Sequence, residues 1–327
     1  MARKLRLEYP GAVYHVINRG NYRDDVFAGE KTKAAFEACL FQACEKAGWV
    51  LHAYVVMRNH YHLALETPQG NLVAGMQWLQ STFANRFNRL RGERGHLFQG
   101  RFKSLLVDGG ALGQLCDYIH LNPVRAGVAS METLKDVTAS SYRLLWQPNK
   151  RPSFLCVQTA LEAAGGLSDT AAGRKAYAVF LGWQTTEGPA GKNKAYVNLS
   201  RGWALGTQAF KAALIHDHKL AADSRALETQ GAAEVRRAHW EEALKAALAR
   251  LPAAALTSGD AQRKSAGWKV AVAAYLKATT EVSNSWLAAR LEMGSSVYVS
   301  KHVGLLQRGV GKGKRWLDRL EKVRGKA

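Results

Sequence analysis

Cysteine is scarce in this chain. Only Cys39, Cys44, Cys116 and Cys156 occur among 327 residues. No two of them form a C-x-x-C pair, so neither a zinc ribbon nor a dithiol redox motif is expected. Usage this sparse fits a reducing cytosol. No apolar run approaches the roughly 18 residues that a membrane span needs. The opening Met-Ala-Arg-Lys-Leu-Arg is not followed by an apolar stretch, so no signal peptide is expected. A G-x-x-x-x-G-K-[ST] loop is also missing, which argues against a nucleotide cofactor. These gaps together predict a cytoplasmic protein with no membrane partner.

Acidic residues are few as well. Lys and Arg number 46 against 26 Asp and Glu, a formal net charge of +20 and a sequence pI near 10.0. Such an excess attracts polyanions by releasing counterions, without specifying a sequence. The excess is concentrated at the end. From Lys301 onward nine basic residues face only Asp318 and Glu321. That tail reads as a backbone-binding arm or a basic helix, with a solvated terminus as the competing reading. The length allows roughly two domains of about 150 residues.

The first 125 residues alternate in type. Ala12 to Asn18 predicts a strand, ended by Arg19-Gly20-Asn21. Lys31 to Lys46 carries Phe36, Cys39, Leu40 and Ala43 at helical spacing and closes on Gly48. Trp49 to Met57 and His60 to Glu66 predict two strands joined by Arg58-Asn59, a hairpin. Leu72 to Leu90 predicts a helix with the apolar stripe Met76, Leu79, Phe83 and Phe87. Arg101 to Val107 predicts a fourth strand. Ala111 to Asn122 predicts a third helix stopped by Pro123. The order βαββαβα suggests an α+β fold, a ferredoxin-like antiparallel sheet with helices on one face.

Two positions on this frame carry chemistry. In His60-Tyr61-His62-Leu63-Ala64-Leu65-Glu66, Tyr61, Leu63 and Leu65 form the core face, so His60 and His62 point together to the other side. Their side chains start about 6–7 Å apart, close enough for both rings to reach one ion. Glu66 shares that face but lies about 13 Å from His62, too far for a ligand. In the third helix Leu112, Leu115, Cys116 and Ile119 define the buried stripe. Tyr118 falls about 110° from its centre, so it is not an obvious core aromatic. Asn122 lies one turn on, where an amide oxygen could complete a site with two imidazoles. The competing readings are a packing tyrosine and a helix-capping asparagine.

In combination, several segments resemble one family. They are Tyr14-His15-Val16 with Asn18-Arg19-Gly20, and Tyr54-Val55-Val56-Met57-Arg58-Asn59-His60-Tyr61-His62-Leu63. Asn85-Arg86-Phe87-Asn88 follows, then His96 to Lys103, then Tyr118-Ile119-His120-Leu121-Asn122-Pro123-Val124-Arg125-Ala126-Gly127. Over residues 5 to about 145 this series resembles the REP-associated tyrosine transposases, single-tyrosine transposases of the HUH type. The resemblance implies that His60 and His62 bind Mg²⁺ or Mn²⁺, that Tyr118 is the nucleophile, and that Asn122 is the third metal ligand. It implies a substrate of single-stranded DNA flanked by a hairpin, a REP-like palindrome. The enzyme would nick DNA through a 5′-phosphotyrosine and rejoin strands, as a monomer or homodimer. Arg19 belongs to the matching segments, and Arg86, Arg89, Arg91, Arg101 and Lys103 would supply phosphate contacts. His96, Phe98 and Phe102 are available for stacking or for the core.

The rest of the chain is helical. Residues 1–130 are expected to form the catalytic domain, 131–156 a linker, 157–257 a helical middle region and 258–327 a separate module. In the last, Ala271 to Ala278, Ser285 to Leu291 and Ser296 to Leu306 predict three helices, with Met293-Gly294 as a turn and Ser295 or Ser296 as a cap. The pattern resembles a helix-turn-helix, in which Ser296, Tyr298, Lys301 and His302 would face a DNA groove. The alternative to an enzyme is a catalytically silent DNA-binding regulator with the same fold. A basic protein-interaction scaffold is a third reading.

Overall fold

The structure is a computed structural model that describes residues 6–186, 199–200, 202–217, 229–257 and 262–322. The chain divides into two compact units, residues 1–214 with 224–232, and residues 215–223 with 233–327. That boundary cuts through the helical middle region expected at 157–257. The loop anticipated around Gly188 to Lys194 and the last basic residues, Arg324 and Lys326, lie outside the described residues.

The first unit is built on a mixed sheet. Its strands are β1 (Ala12–Arg19), β2 (Val50–Val56), β3 (His60–Thr67), β4 (Lys103–Val107) and β5 (Ala204–Leu205). The order is β2-β3-β1-β4-β5. The first four strands are antiparallel to their neighbours, and β5 runs parallel to β4. With α1 (Glu30–Ala47) between β1 and β2, and α2 (Leu72–Arg91) between β3 and β4, this is the split βαβ arrangement the sequence predicts. The hairpin forms as expected. Val56 pairs with Tyr61, and the Met57 amide donates to the His60 carbonyl across the turn.

One expectation about the layers needs correction, because the helices occupy both faces of the sheet. The α1 and α2 helices pack together on the face to which Tyr61 points. There the Tyr61 ring lies 4.6 Å from Phe36 and 6.1 Å from Phe98, centroid to centroid. The helix α3 (Gly109–His120) packs over β2 and β3 on the opposite face. Strand alternation forces this division: Tyr61 and His62 are neighbours in sequence, so they serve different layers.

The segment expected as a linker is part of the fold. The Leu51 amide donates to the Phe154 carbonyl and the Cys156 amide to Leu51. The Val56 amide donates to Ala139, and the Tyr54 amide to the Ser141 hydroxyl. Without this cover, β2 would expose a row of unpaired backbone groups at the sheet edge. Tyr142 and Leu145, on the short helix α5 (Ser141–Leu145), bury their side chains there. Two further helices, α6 (Gln158–Ala163) and α7 (Ala171–Thr186), follow, with α6 packed on α3. The helix α8 (Gln208–Asp217) follows β5.

The second unit holds the C-terminal part of α9 (Thr229–Ala249), α10 (Ala253–Thr257), α11 (Gly267–Thr279), α12 (Asn284–Arg290), α13 (Ser296–Gln307) and α14 (Lys314–Lys322). Val270 to Ala274 are all buried, as befits a helix surrounded on every side. Leu287, Met293, Val299, Val303, Leu306 and Leu320 close around it. The two caps are serines. Ser283 accepts from the Trp286 amide and Ser295 from the Tyr298 amide. Gly294, at φ +88°, makes the turn between α12 and α13.

Candidate active site

The pairing register brings three histidines together on the α3 side of the sheet. In the register β1 faces β3, so Arg19 lies opposite His60 and Ile17 opposite His62. The His60 and His62 rings meet at 5.0 Å between centroids. His15 joins them from β1, with its ring 5.2 Å from that of His62.

Hydrogen bonds set the tautomers of this group. The Leu199 carbonyl can only accept, so His15 Nδ1 donates to it at 2.6 Å. Neutral His15 then has a lone pair on Nε2, and His62 Nδ1 donates to it at 2.9 Å. That leaves the His62 Nε2 lone pair open. His60 Nδ1 donates to the Asn59 amide oxygen at 2.7 Å, which leaves its Nε2 open in the same way. A metal-binding imidazole has this character, with one nitrogen anchored and the other presented.

Burial keeps the rings neutral. Desolvation lowers His15 and His60 to about 4, with Lys103 and Arg19 respectively adding to the effect. His62 lies well below its ordinary value, first through burial and then through the neighbouring histidines and arginines. A neutral imidazole is the form that binds a metal. The two open nitrogens therefore fit a divalent ion. Among the described residues no three His, Cys, Asp or Glu side chains converge into a fuller ligand set.

Tyr118 closes the site from α3. Its half-buried ring lies 5.5 Å from His62 and 6.0 Å from His15, edge to face with both. Its hydroxyl lies 3.2 Å from the Ser200 hydroxyl, and the Arg125 guanidinium sits 5.1 Å from its ring centre. The stripe Leu112, Leu115, Cys116 and Ile119 is buried as the wheel predicts, and Tyr118, off that stripe, meets the histidines of β1 and β3.

Asn122 is placed differently from the expectation. Helix α3 ends at His120, and half-buried Asn122 opens a separate short helix, α4 (Asn122–Arg125). Pro123 causes the break, because it has no N–H to continue the ladder and is instead at home in a first turn.

The cationic candidates divide. Arg19 stands at the end of β1 beside His60. Lys103 opens β4 and donates to the Ser200 carbonyl at 2.9 Å. Arg101 and Arg89 are exposed. Arg86 is turned onto α1, donating to Gln42 at 3.1 Å and to Cys39 Sγ. Arg91 pairs with Glu93 at 2.7 Å. Phe98 is half-buried and packs against Phe27, Tyr61 and Phe83, and Phe102 is buried in the core. In the second unit Ser296, Tyr298, Lys301 and His302 stand on α13, where the Tyr298 and His302 rings lie 4.3 Å apart.

The residues that sequence reasoning passed over lie around these. His15 carried no alternation signal, because β1 is buried on most of its length. Leu199 and Ser200 reach the site from more than 80 residues beyond Tyr118 in the chain. Asp117 and His120, which flank Tyr118, are buried in a network of their own. Tyr177 donates to Asp117 at 2.7 Å, and the His120 ring nitrogens pair with Tyr177 and Ser141 at 2.9 Å each.

A family model described as "Transposase IS200 like" matches residues 9–122. Over these residues the chain is similar to that family. The match runs from Tyr9, just before β1, to Asn122 and so contains the three histidines and Tyr118. A solved structure of a REP-associated tyrosine transposase bound to a REP hairpin is similar at 17% identity and a TM-score of 0.38. That likeness covers 46% of this chain and 89% of the other. No curated protein matches the chain. Among the described residues no helix is long and apolar enough to cross a membrane.

Proposed function

We propose that the first unit is a transposase, a metal-dependent endonuclease and strand transferase for single-stranded DNA carrying REP-like hairpins. One observation carries the reading: the Tyr118 ring lies 5.5 Å from that of His62, which in turn lies 5.0 Å from that of His60. His60 and His62 would hold Mg²⁺ or Mn²⁺, with the Asn122 amide oxygen as a third donor. When bound, the ion supplies charge neutralisation and polarisation at the scissile phosphate.

The remaining work falls to the chain itself. Tyr118 gives up its phenolic proton and its oxygen bonds to phosphorus. The bond from phosphorus to the 3′ oxygen breaks, and that oxygen leaves as a hydroxyl after taking a proton. The products are a 5′-phosphotyrosine and a free 3′ end. Attack by that hydroxyl, or by the hydroxyl of another strand, reverses the step, so one phosphodiester replaces another without an external energy source. His15 holds His62 in the required tautomer, and Arg19 and Lys103 place positive charge beside the histidines. Arg89 and Arg101 are exposed for contacts to the DNA backbone. The second unit would act in target choice through α13, with Ser296, Tyr298, Lys301 and His302 toward the groove.

The test uses a hairpin-bearing single strand with Mn²⁺ or Mg²⁺. The wild-type protein should cut it and chelator should stop the reaction. His60→Ala should lose cleavage while remaining folded. Binding of the hairpin with no cleavage under either ion would favour the silent regulator instead.

A further inference from the structure

The second unit has a cleft that the Tyr118 chemistry does not use. One wall is Lys312-Gly313, the end of the glycine-rich segment Gly309 to Gly313, followed by Lys314-Arg315-Trp316 at the start of α14. Gly309 and Gly313 hold φ of +78° and +115°. A Cβ on Gly313 would sit 2.3 Å from the Gly267 carbonyl oxygen, so backbone meets backbone there. This close approach sets the first turn of α14 against the first turn of α11.

The result is a cleft of about 590 Å³, the size of a small-ligand site. Lys312, Lys314 and Arg315 bring three exposed cations to it, and no acidic residue lines it among the described residues. Trp268 and Trp316 line it as well, each half-buried against the core of the unit. The Arg315 guanidinium lies 4.4 Å from the centre of the Trp316 ring. The Trp268 indole N–H is buried without a hydrogen-bond partner among the described residues. Lys314 and Arg315 open α14, where first-turn amides have no carbonyl partner within the helix. A helix start, cations and indole faces together suit a phosphate joined to a flat ring.

We propose that this cleft binds a single-stranded segment of DNA, with a phosphate at Lys312 to Arg315 and a base against the tryptophans. A duplex keeps its base faces stacked and cannot offer one to an indole in a recess, whereas a single strand can. The site is distinct from the groove-facing surface of α13.

The test is anisotropy of a fluorescein-labelled oligothymidylate with the full chain, in chelator and over a range of salt. Combined Lys312→Ala, Lys314→Ala and Arg315→Ala replaces exposed side chains and should weaken binding by about tenfold or more. It should also flatten the slope of log affinity against log salt by roughly two. Trp316→Leu keeps apolar bulk, and should weaken the oligothymidylate by about fivefold or more while leaving an abasic strand of equal length unaffected. Unchanged affinity and slope in the triple variant would overturn the proposal. So would an equal loss on a blunt duplex, which would make the patch a plain backbone contact. The assay reads no cleavage, so its outcome is separate from the role of Tyr118.

Discussion

Acid should unfold the first unit well before ordinary acid denaturation, because its buried histidines are held neutral. His15 and His60 stand at about 4, His120 at about 3 and His62 well below its usual value. Each regains about 6.5 on unfolding. A depressed folded value contributes stability that is complete above the unfolded value and is lost as the pH falls toward the folded one. At a pH of about 5.5 each histidine has given up about 1.4 kcal/mol, so the four together lose roughly 5–6 kcal/mol. Asp117 opposes them. Burial raises it to about 6, so it favours the folded state as pH falls, by about 1 kcal/mol at the same pH. A net loss of roughly 4–5 kcal/mol is most of the stability of a modest domain, about 5–15 kcal/mol. Guanidinium melts in chelator, read on the first unit at pH values of about 7 and 5.5, should show the midpoint collapse, with about three protons taken up on unfolding. Equal midpoints, or uptake of less than one proton, would refute the reasoning.

Three further outcomes follow from the same geometry. His15→Asn should weaken Mn²⁺ binding by about 10–100-fold with the fold retained, since His62 loses the partner that fixes its tautomer; isothermal titration giving an unchanged affinity contradicts this. Tyr177→Phe leaves Asp117 and His120 without the hydroxyl they share and should cost about 2–4 kcal/mol in a denaturant melt, so a loss below about 1 kcal/mol would mean the network is dispensable. Gly113→Ala would place a Cβ 2.0 Å from that of Ala163, forcing α3 and α6 apart at a cost of about 1–3 kcal/mol, visible as a lower melting temperature.

The parts of this protein that were legible from its sequence are those governed by local period. The hairpin, the alternation that sets Tyr61 against His60 and His62, and the α3 stripe that frees Tyr118 all follow from neighbours within a few residues. The placement of three more helices around Gly294 in the second unit was legible for the same reason. What could not be read depends on distant partners. His15 reaches His62 only through the β1–β3 register, and Leu199 and Ser200 arrive from beyond α7. Residues 131–156 are polar and proline-bearing, as a linker is, yet they satisfy the open edge of β2. Asp117 and His120 are buried beside Tyr177, 60 and 57 residues away, which shares its hydroxyl between them.

The central claim is that Tyr118 takes the DNA onto its own oxygen beside the His60–His62 pair. Peptide mapping by mass spectrometry, after reaction of the full chain with a hairpin-bearing strand and Mn²⁺, tests it directly. The account predicts one nucleotide-bearing peptide, modified at Tyr118 through a 5′ phosphate, and none from Tyr118→Phe protein that still binds the strand. An adduct on another residue, or one that persists in Tyr118→Phe, would contradict it.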